Sequence, residues 1–213
     1  MEKFLIEKNE YLSRDVEGFF GCYYRGYRQP GNPDYINTLK NTFNNTPLSE
    51  LISAKNTAVM RIRTDLQTLI NQNKFAPCTI VCIPRAKELR SYTNNQLFFI
   101  QAVSEAARMV SGAADGTTCI QRHSNTRTTH LKRETGRTTA YGKEDRNNGP
   151  SPYPGITKDT CYINQSLIRG KNVILVDDIY TKTCNVDEDC LEALYNLGAN
   201  KVIFYSIAYT QRI

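Results

Sequence analysis

The sequence predicts an α/β protein organised around a parallel sheet, and the arrangement of its apolar runs carries that expectation. Thr79-Ile-Val-Cys-Ile83 and Asn172-Val-Ile-Leu-Val176 are apolar with no polar alternation. Strands buried on both faces of a parallel sheet read this way. A third run, Val202-Ile-Phe-Tyr-Ser-Ile207, follows a segment at 186–197 in which Leu191, Leu194 and Leu197 recur at helical spacing. Strand, helix and strand with short joints make a right-handed βαβ unit, and hence a parallel sheet.

Taken in order, residues 1–45 are irregular and rich in Tyr, Phe, Asn and Gly, and the pattern assigns them no element. Thr46-Pro47 reads as a helix cap followed by Pro in the first turn. Ile62, Leu66, Leu69 and Ile70 then mark an amphipathic helix that ends near Lys74. The strand at 79–83 stops at Pro84, and Ile100, Val103, Ala107 and Val110 place a helix over 96–110, with Gly112 as its terminator. Residues 121–160 lack sustained periodicity and collect Thr, Arg, Gly, Asn and Pro. So long a connection in a compact domain is usually a lid, a binding segment or disorder. The expected organisation is a partly helical N-terminal extension at 1–75 followed by a main domain at 76–213, with a hood or lid at 121–160.

Composition narrows the setting. At 213 residues, 40% hydrophobic and 23% charged, the chain has the make-up of an ordinary globular domain. No apolar run approaches the roughly 20 residues that span a bilayer, and charges break up the apolar residues of the N-terminus. A cytoplasmic protein without membrane contact is expected. The seven cysteines form no CxxC pair, and with two histidines they offer no close zinc-ligand quartet. The formal charge of +6 suits a polyanionic small molecule or weak nucleic-acid contact. Basic residues gather at 121–146, where Arg122, Arg127, Lys132, Arg133, Arg137, Lys143 and Arg146 outnumber Glu134, Glu144 and Asp145. That stretch is either a solvated loop or a surface for a nucleic-acid or protein partner. A second copy of the chain is a further candidate partner.

The chemistry is expected just past the second strand, because ligands of open α/β sheets bind beyond the carboxyl ends of strands. Asp177 and Asp178 stand there. Adjacent carboxylates after an apolar strand need water or donors, and a sugar diol supplies two. Thr181, Lys182, Thr183, Cys184 and Asn185 follow and lead into a helix N-terminus, where backbone N–H groups favour an anion. Diol-binding acids followed by an anion loop describe a pocket for a ribose 5-phosphate.

At these residues the chain resembles the type I phosphoribosyltransferases. Their shared segment is an apolar strand, two acids, an apolar residue, any residue, Thr, a small or polar residue, Gly, any residue, and Thr or Ser. Val173 to Thr181 matches, and Leu-Gly-Ala-Asn-Lys-Val at 197–202 fits the family's helix-to-strand joint. Ile83-Pro84-Arg85, Lys87, Arg90 and Asn95-Gln96 are similar in order to the ComF-like branch. That branch's usual Arg-Gly-Phe is replaced here by Ser91-Tyr-Thr-Asn94, and its N-terminal zinc cysteines are absent. The resemblance covers about residues 78–210 and implies a parallel-sheet phosphoribosyltransferase fold.

The resemblance also implies an activity: transfer of ribose 5-phosphate from phosphoribosyl diphosphate (PRPP) to a nitrogen nucleophile, or cleavage at the same ribose C1. Asp177 and Asp178 would hold the ribose hydroxyls, and the 181–185 loop the 5-phosphate. Arg85, Ala86 and Lys87 would form the diphosphate loop. Mg²⁺ would arrive on PRPP rather than in a resident site. The chain departs from the family pattern at Thr183, which stands for Gly, and at Asn185, which stands for Thr or Ser. Asp187, Glu188 and Asp189 fill the first turn of the following helix, where they compete with a phosphate for the helix dipole. These departures favour a second reading, a module that binds PRPP or a nucleotide without turning it over. A third reading is a subunit of a nucleic-acid-associated complex, such as a defence system, acting through 121–146. His123 and His130 are candidate acid–base groups or plain surface residues. Cys184, with acids around it, is expected to be an ordinary thiol.

Overall fold

The continuous apolar runs become the centre of one sheet. The computed structural model describes residues 1–26, 29–128, 147, 149–150, 156–182 and 184–211. Its strands are β1 (Glu2–Ile6), β2 (Val16–Tyr24), β3 (Cys78–Cys82), β4 (Ala113–Asp115), β5 (Ile120–Arg122), β6 (Cys161–Ile163), β7 (Asn172–Tyr180) and β8 (Lys201–Thr210). The helices are α1 (Asp34–Lys40), α2 (Leu48–Asn73), α3 (Phe98–Arg108), α4 (Ile156–Thr160) and α5 (Val186–Asn196). The main sheet has the order β1-β2-β8-β7-β3-β4. All its pairings are parallel except β1 with β2. β5 and β6 form a separate antiparallel pair. The protein is therefore α/β with a mostly parallel central sheet.

Segment 1–75 holds the long helix foreseen from its periodicity together with α1 and two strands of the main sheet. β2 runs parallel to β8, and β1 closes that edge. The long helix begins at Leu48, one residue later than Pro47, which is itself the cap. Lys74 ends it in the left-handed conformation, its N–H donating back to Ile70 and Asn71. The expected helix at 96–110 is a short 3₁₀ turn, Asn94–Leu97, leading into α3.

Two cores flank the sheet. Ile80, Cys82, Ile174, Val176, Ile203 and Tyr205 pack with α1, α2 and α3 on one face. Val81, Val173, Leu175, Val202 and Phe204 pack with α5 and the β5–β6 pair on the other. Each fully buried aliphatic side chain here contributes about 1.5–3 kcal/mol. α2 buries Leu51, Ala58, Ile62, Leu66 and Leu69 along one stripe, which also contains Asp65. Asp65 is tolerated there because Arg61 Nε donates to it at 2.6 Å and the Tyr205 hydroxyl at 2.8 Å. Arg61 also reaches the Gly21 carbonyl at 2.5 Å. A Cβ at position 21 would lie 2.4 Å from the Arg61 guanidinium, so glycine makes the room.

The strands lose their simple alternation at one level. Pairing skips Gly21, Ile207 and Asp178, which lie side by side across β2, β8 and β7. Beyond it Ile207 and Ala208 both join the α1–α3 core, and Tyr180 turns to the α5 side. Such breaks re-aim side chains near the ends of strands.

Candidate functional site

β3 and β7 are neighbours at the centre of the sheet, and both carboxyl ends emerge at one edge. The Ile83 N–H donates to the Val176 carbonyl at 2.9 Å, which fixes the segment after β3 beside the acids of β7. The loops at 84–87 and 181–185 are thereby brought to the same edge. The expected end of the second strand at Val176 is passed. β7 runs on to Tyr180, so Asp177 and Asp178 lie within the strand rather than beyond it.

Successive strand residues point to opposite faces, and the two acids follow that rule. Asp178 faces α1, where Lys40 Nζ lies 3.2 Å from its Oδ2. Burial would lower the Lys40 pKa, but Asp178 and Asp177 together raise it above the usual lysine value. The ammonium form is held. Asp177 faces α5 and is hydrogen-bonded to the side chain of Asp187. Burial, with Asp178 beside it, pushes Asp177 up to about 7. Burial and the neighbouring Asp177 hold Asp187 well above the usual carboxylate range. Two carboxyl groups in hydrogen-bond contact share one proton, because both cannot ionise cheaply.

The acids of the first α5 turn are buried rather than solvated. Asp187, Glu188 and Asp189 are 3%, 1% and 5% exposed. Glu188 accepts from the Tyr180 hydroxyl at 2.8 Å, and Asp189 from the Thr157 N–H at 2.6 Å. Asp187 Oδ1, Glu188 Oε2 and the Ser206 hydroxyl are buried without a hydrogen-bond partner among the described residues. The helix N-terminus is thus lined with the chain's own carboxyl groups.

In the loop after β7, Thr181 meets Thr210 hydroxyl to hydroxyl at 2.7 Å, and the Cys184 N–H turns back to the Thr181 carbonyl at 2.9 Å. Asn185 caps α5 at φ 53°, a left-handed value that asparagine tolerates. Lys182 donates to Glu7 at 2.7 Å, which raises its pKa, and Asn9 donates to Asn185 at 3.1 Å. The segment after β1 therefore crosses this loop. Thr183 lies outside the described residues.

In the loop after β3, Arg85 is committed to the fold. Its guanidinium donates to the Gln96 carbonyl and, at 2.8 Å, to the Lys40 carbonyl, and stacks 4.6 Å from the Tyr92 ring. The Ala86 carbonyl accepts from the Thr126 N–H at 2.7 Å, and the Lys87 N–H donates to the Tyr92 hydroxyl at 3.0 Å. The Lys87 side chain is buried.

Of the basic stretch at 121–146, residues 129–146, with His130, Lys132, Arg133, Arg137, Lys143 and Arg146, lie outside the described residues. Arg122 is buried; it donates to the Arg85 carbonyl at 2.7 Å and to Thr160 at 2.6 Å. It braces the loop after β3 instead of standing in solvent. His123 packs on Tyr162, ring centroids 4.5 Å apart. Among the described residues no group of three or more His, Cys, Asp or Glu is placed to hold a metal ion, and no helix is long and apolar enough to cross a membrane. None of the seven cysteines forms a disulfide among the described residues.

The arrangement is one edge with a cation-paired carboxylate, a carboxyl pair with raised pKa values and two loops of mixed polarity. The chain matches no protein-family model and no curated protein. The site must therefore be read from its own chemistry. Sequence reasoning missed Lys40, because nothing in an unassigned segment announced that its helix would end against β7. The inward turn of Asp187 was signalled only by the density of acids after Asn185.

Proposed function

We propose that this edge binds PRPP as its Mg²⁺ complex, in the manner of a type I phosphoribosyltransferase. The observation that carries the reading is the adjacency of β3 and β7. Two segments far apart in sequence, each resembling one half of a PRPP site, end side by side at the carboxyl edge of a parallel sheet, where ligands of such sheets bind. Asp178 accepts a ribose hydroxyl, Thr181, Lys182, Cys184 and Asn185 lie beside the 5-phosphate, and the backbone of the loop after β3 lies toward the diphosphate. In turnover, the bond from C1 to the diphosphate oxygen breaks and a nitrogen nucleophile or water takes its place. Oriented donors and charge supply most of such catalysis.

A second reading, binding without turnover, draws support from Arg85 and α5. Arg85 spends its guanidinium on two backbone carbonyls, and three buried acids line the helix start. Both features reduce the positive field available to a departing diphosphate. The residues that would form a nucleic-acid surface fall mostly in 129–146.

Incubation with Mg–PRPP and a panel of nitrogen acceptors tests the activity. Release of diphosphate above the rate of an Asp178→Asn variant is the expected result. PRPP bound but returned intact would favour the second reading.

A further inference from the structure

Three groups converge where α1 ends. The Lys40 ammonium contacts Asp178 Oδ2 at 3.2 Å, and the Lys40 carbonyl accepts from Arg85 at 2.8 Å. Asn41, left-handed at φ 33°, stops the helix and donates to the Asn95 carbonyl at 3.3 Å. One residue thus joins the β7 acid to the loop after β3, and its neighbour ties the turn before α3 to the same point. The pair is only partly covered, with side chains 27% and 21% exposed, so a ligand can reach it. The other titratable groups around it are Asp177 on β7, Cys82 on β3 and Tyr24 on β2.

We propose that Lys40 is a positioning residue for the ligand: its ammonium holds Asp178 Oδ2, leaving Oδ1 to accept a sugar hydroxyl. A lysine carries three donors and no acceptor, so it can hold the carboxylate without competing for the hydroxyl proton. The inference rests on the PRPP reading and adds a residue from outside the segment that carries the resemblance. It makes the N-terminal region part of the site.

A double-mutant cycle on PRPP affinity tests it. Lys40→Met is expected to weaken binding about tenfold, and Lys40→Arg to restore most of the loss. In an Asp178→Asn background, Lys40→Met should add less than about twofold, because the carboxylate it served is gone. Equal losses in both backgrounds, or failure of Lys40→Arg to recover binding, would mean that Lys40 matters only to folding and would overturn the inference. Wild-type binding with an unaffected Lys40→Met removes Lys40 alone and leaves the PRPP reading standing. Absence of wild-type binding removes that reading and the inference together.

Discussion

On the α1–α3 face of the sheet, Asp178 meets a lysine at 3.2 Å, and deeper on that face Asp65 meets Arg61 and Tyr205. On the α5 face, one residue earlier in the same strand, Asp177 meets another carboxylic acid. The first face sets cations against its acids, whereas on the second burial and a neighbouring carboxyl group raise the pKa of Asp177 and Asp187. An acid paired with a cation can still accept a hydrogen bond through the oxygen its partner leaves open. An acid in a carboxyl pair donates or accepts according to pH, and its burial costs stability once both members would ionise. The two neighbouring acids therefore differ in setting, Asp178 held by a lysine and Asp177 tied to the start of α5, and the proposed reading makes Asp178 the ligand acceptor.

The largest effect that would sharpen this contrast is on the cationic face. Asp65→Ala leaves the Tyr205 hydroxyl, which is fully buried, and the Arg61 guanidinium without their shared partner. A loss of about 3 kcal/mol in stability is expected from denaturant unfolding. A loss near zero would mean that this face does not depend on its ion pairs.

A smaller effect of opposite sign is expected on the α5 face. Asp177 moves from 3.8 in its ordinary state up to about 7, and Asp187 is also raised. The folded chain then binds these protons more tightly than the unfolded chain. Their contribution is fully present below the unfolded value, about pH 4, and is lost as pH rises through about 7. Asp187→Asn keeps a donor beside Asp177 and removes one titrating member. Its stability should equal that of the wild type near pH 4 and exceed it by on the order of 2 kcal/mol at pH 7.5. Thermal unfolding across that range checks this, and a difference that does not change with pH would contradict the shared proton.

The legible and illegible parts of the fold divide along the same physical lines. β3, β7 and β8 were readable because burial on both faces demands unbroken apolar residues. β2 was not, since Glu17, Gly18 and Gly21 interrupt it, and Gly21 is there to admit Arg61. The acid pair and the loop after it were readable as a composite of strand, carboxylates and helix start. Which way each acid points was not, because a strand carrying through to Tyr180 separates neighbours that a loop would keep together. Helix propensity explains Asp187, Glu188 and Asp189 as well when they face water as when they face Asp177. Only the packing of α5 decides between these. Lys40 reaches Asp178 through the placement of α1 against the sheet, a long-range contact that no local pattern encodes.

The most direct test of the account is calorimetric titration with Mg–PRPP of the wild type, Asp177→Asn and Asp178→Asn at pH 7.5. The expected result is saturable wild-type binding that weakens at least about tenfold in Asp178→Asn, where a charged acceptor is lost. Asp177→Asn should retain most of the affinity, because Asp177 is engaged with Asp187 rather than with the ligand. Absence of wild-type binding, or equal losses from the two substitutions, would contradict the assignment of this edge and of its two acids.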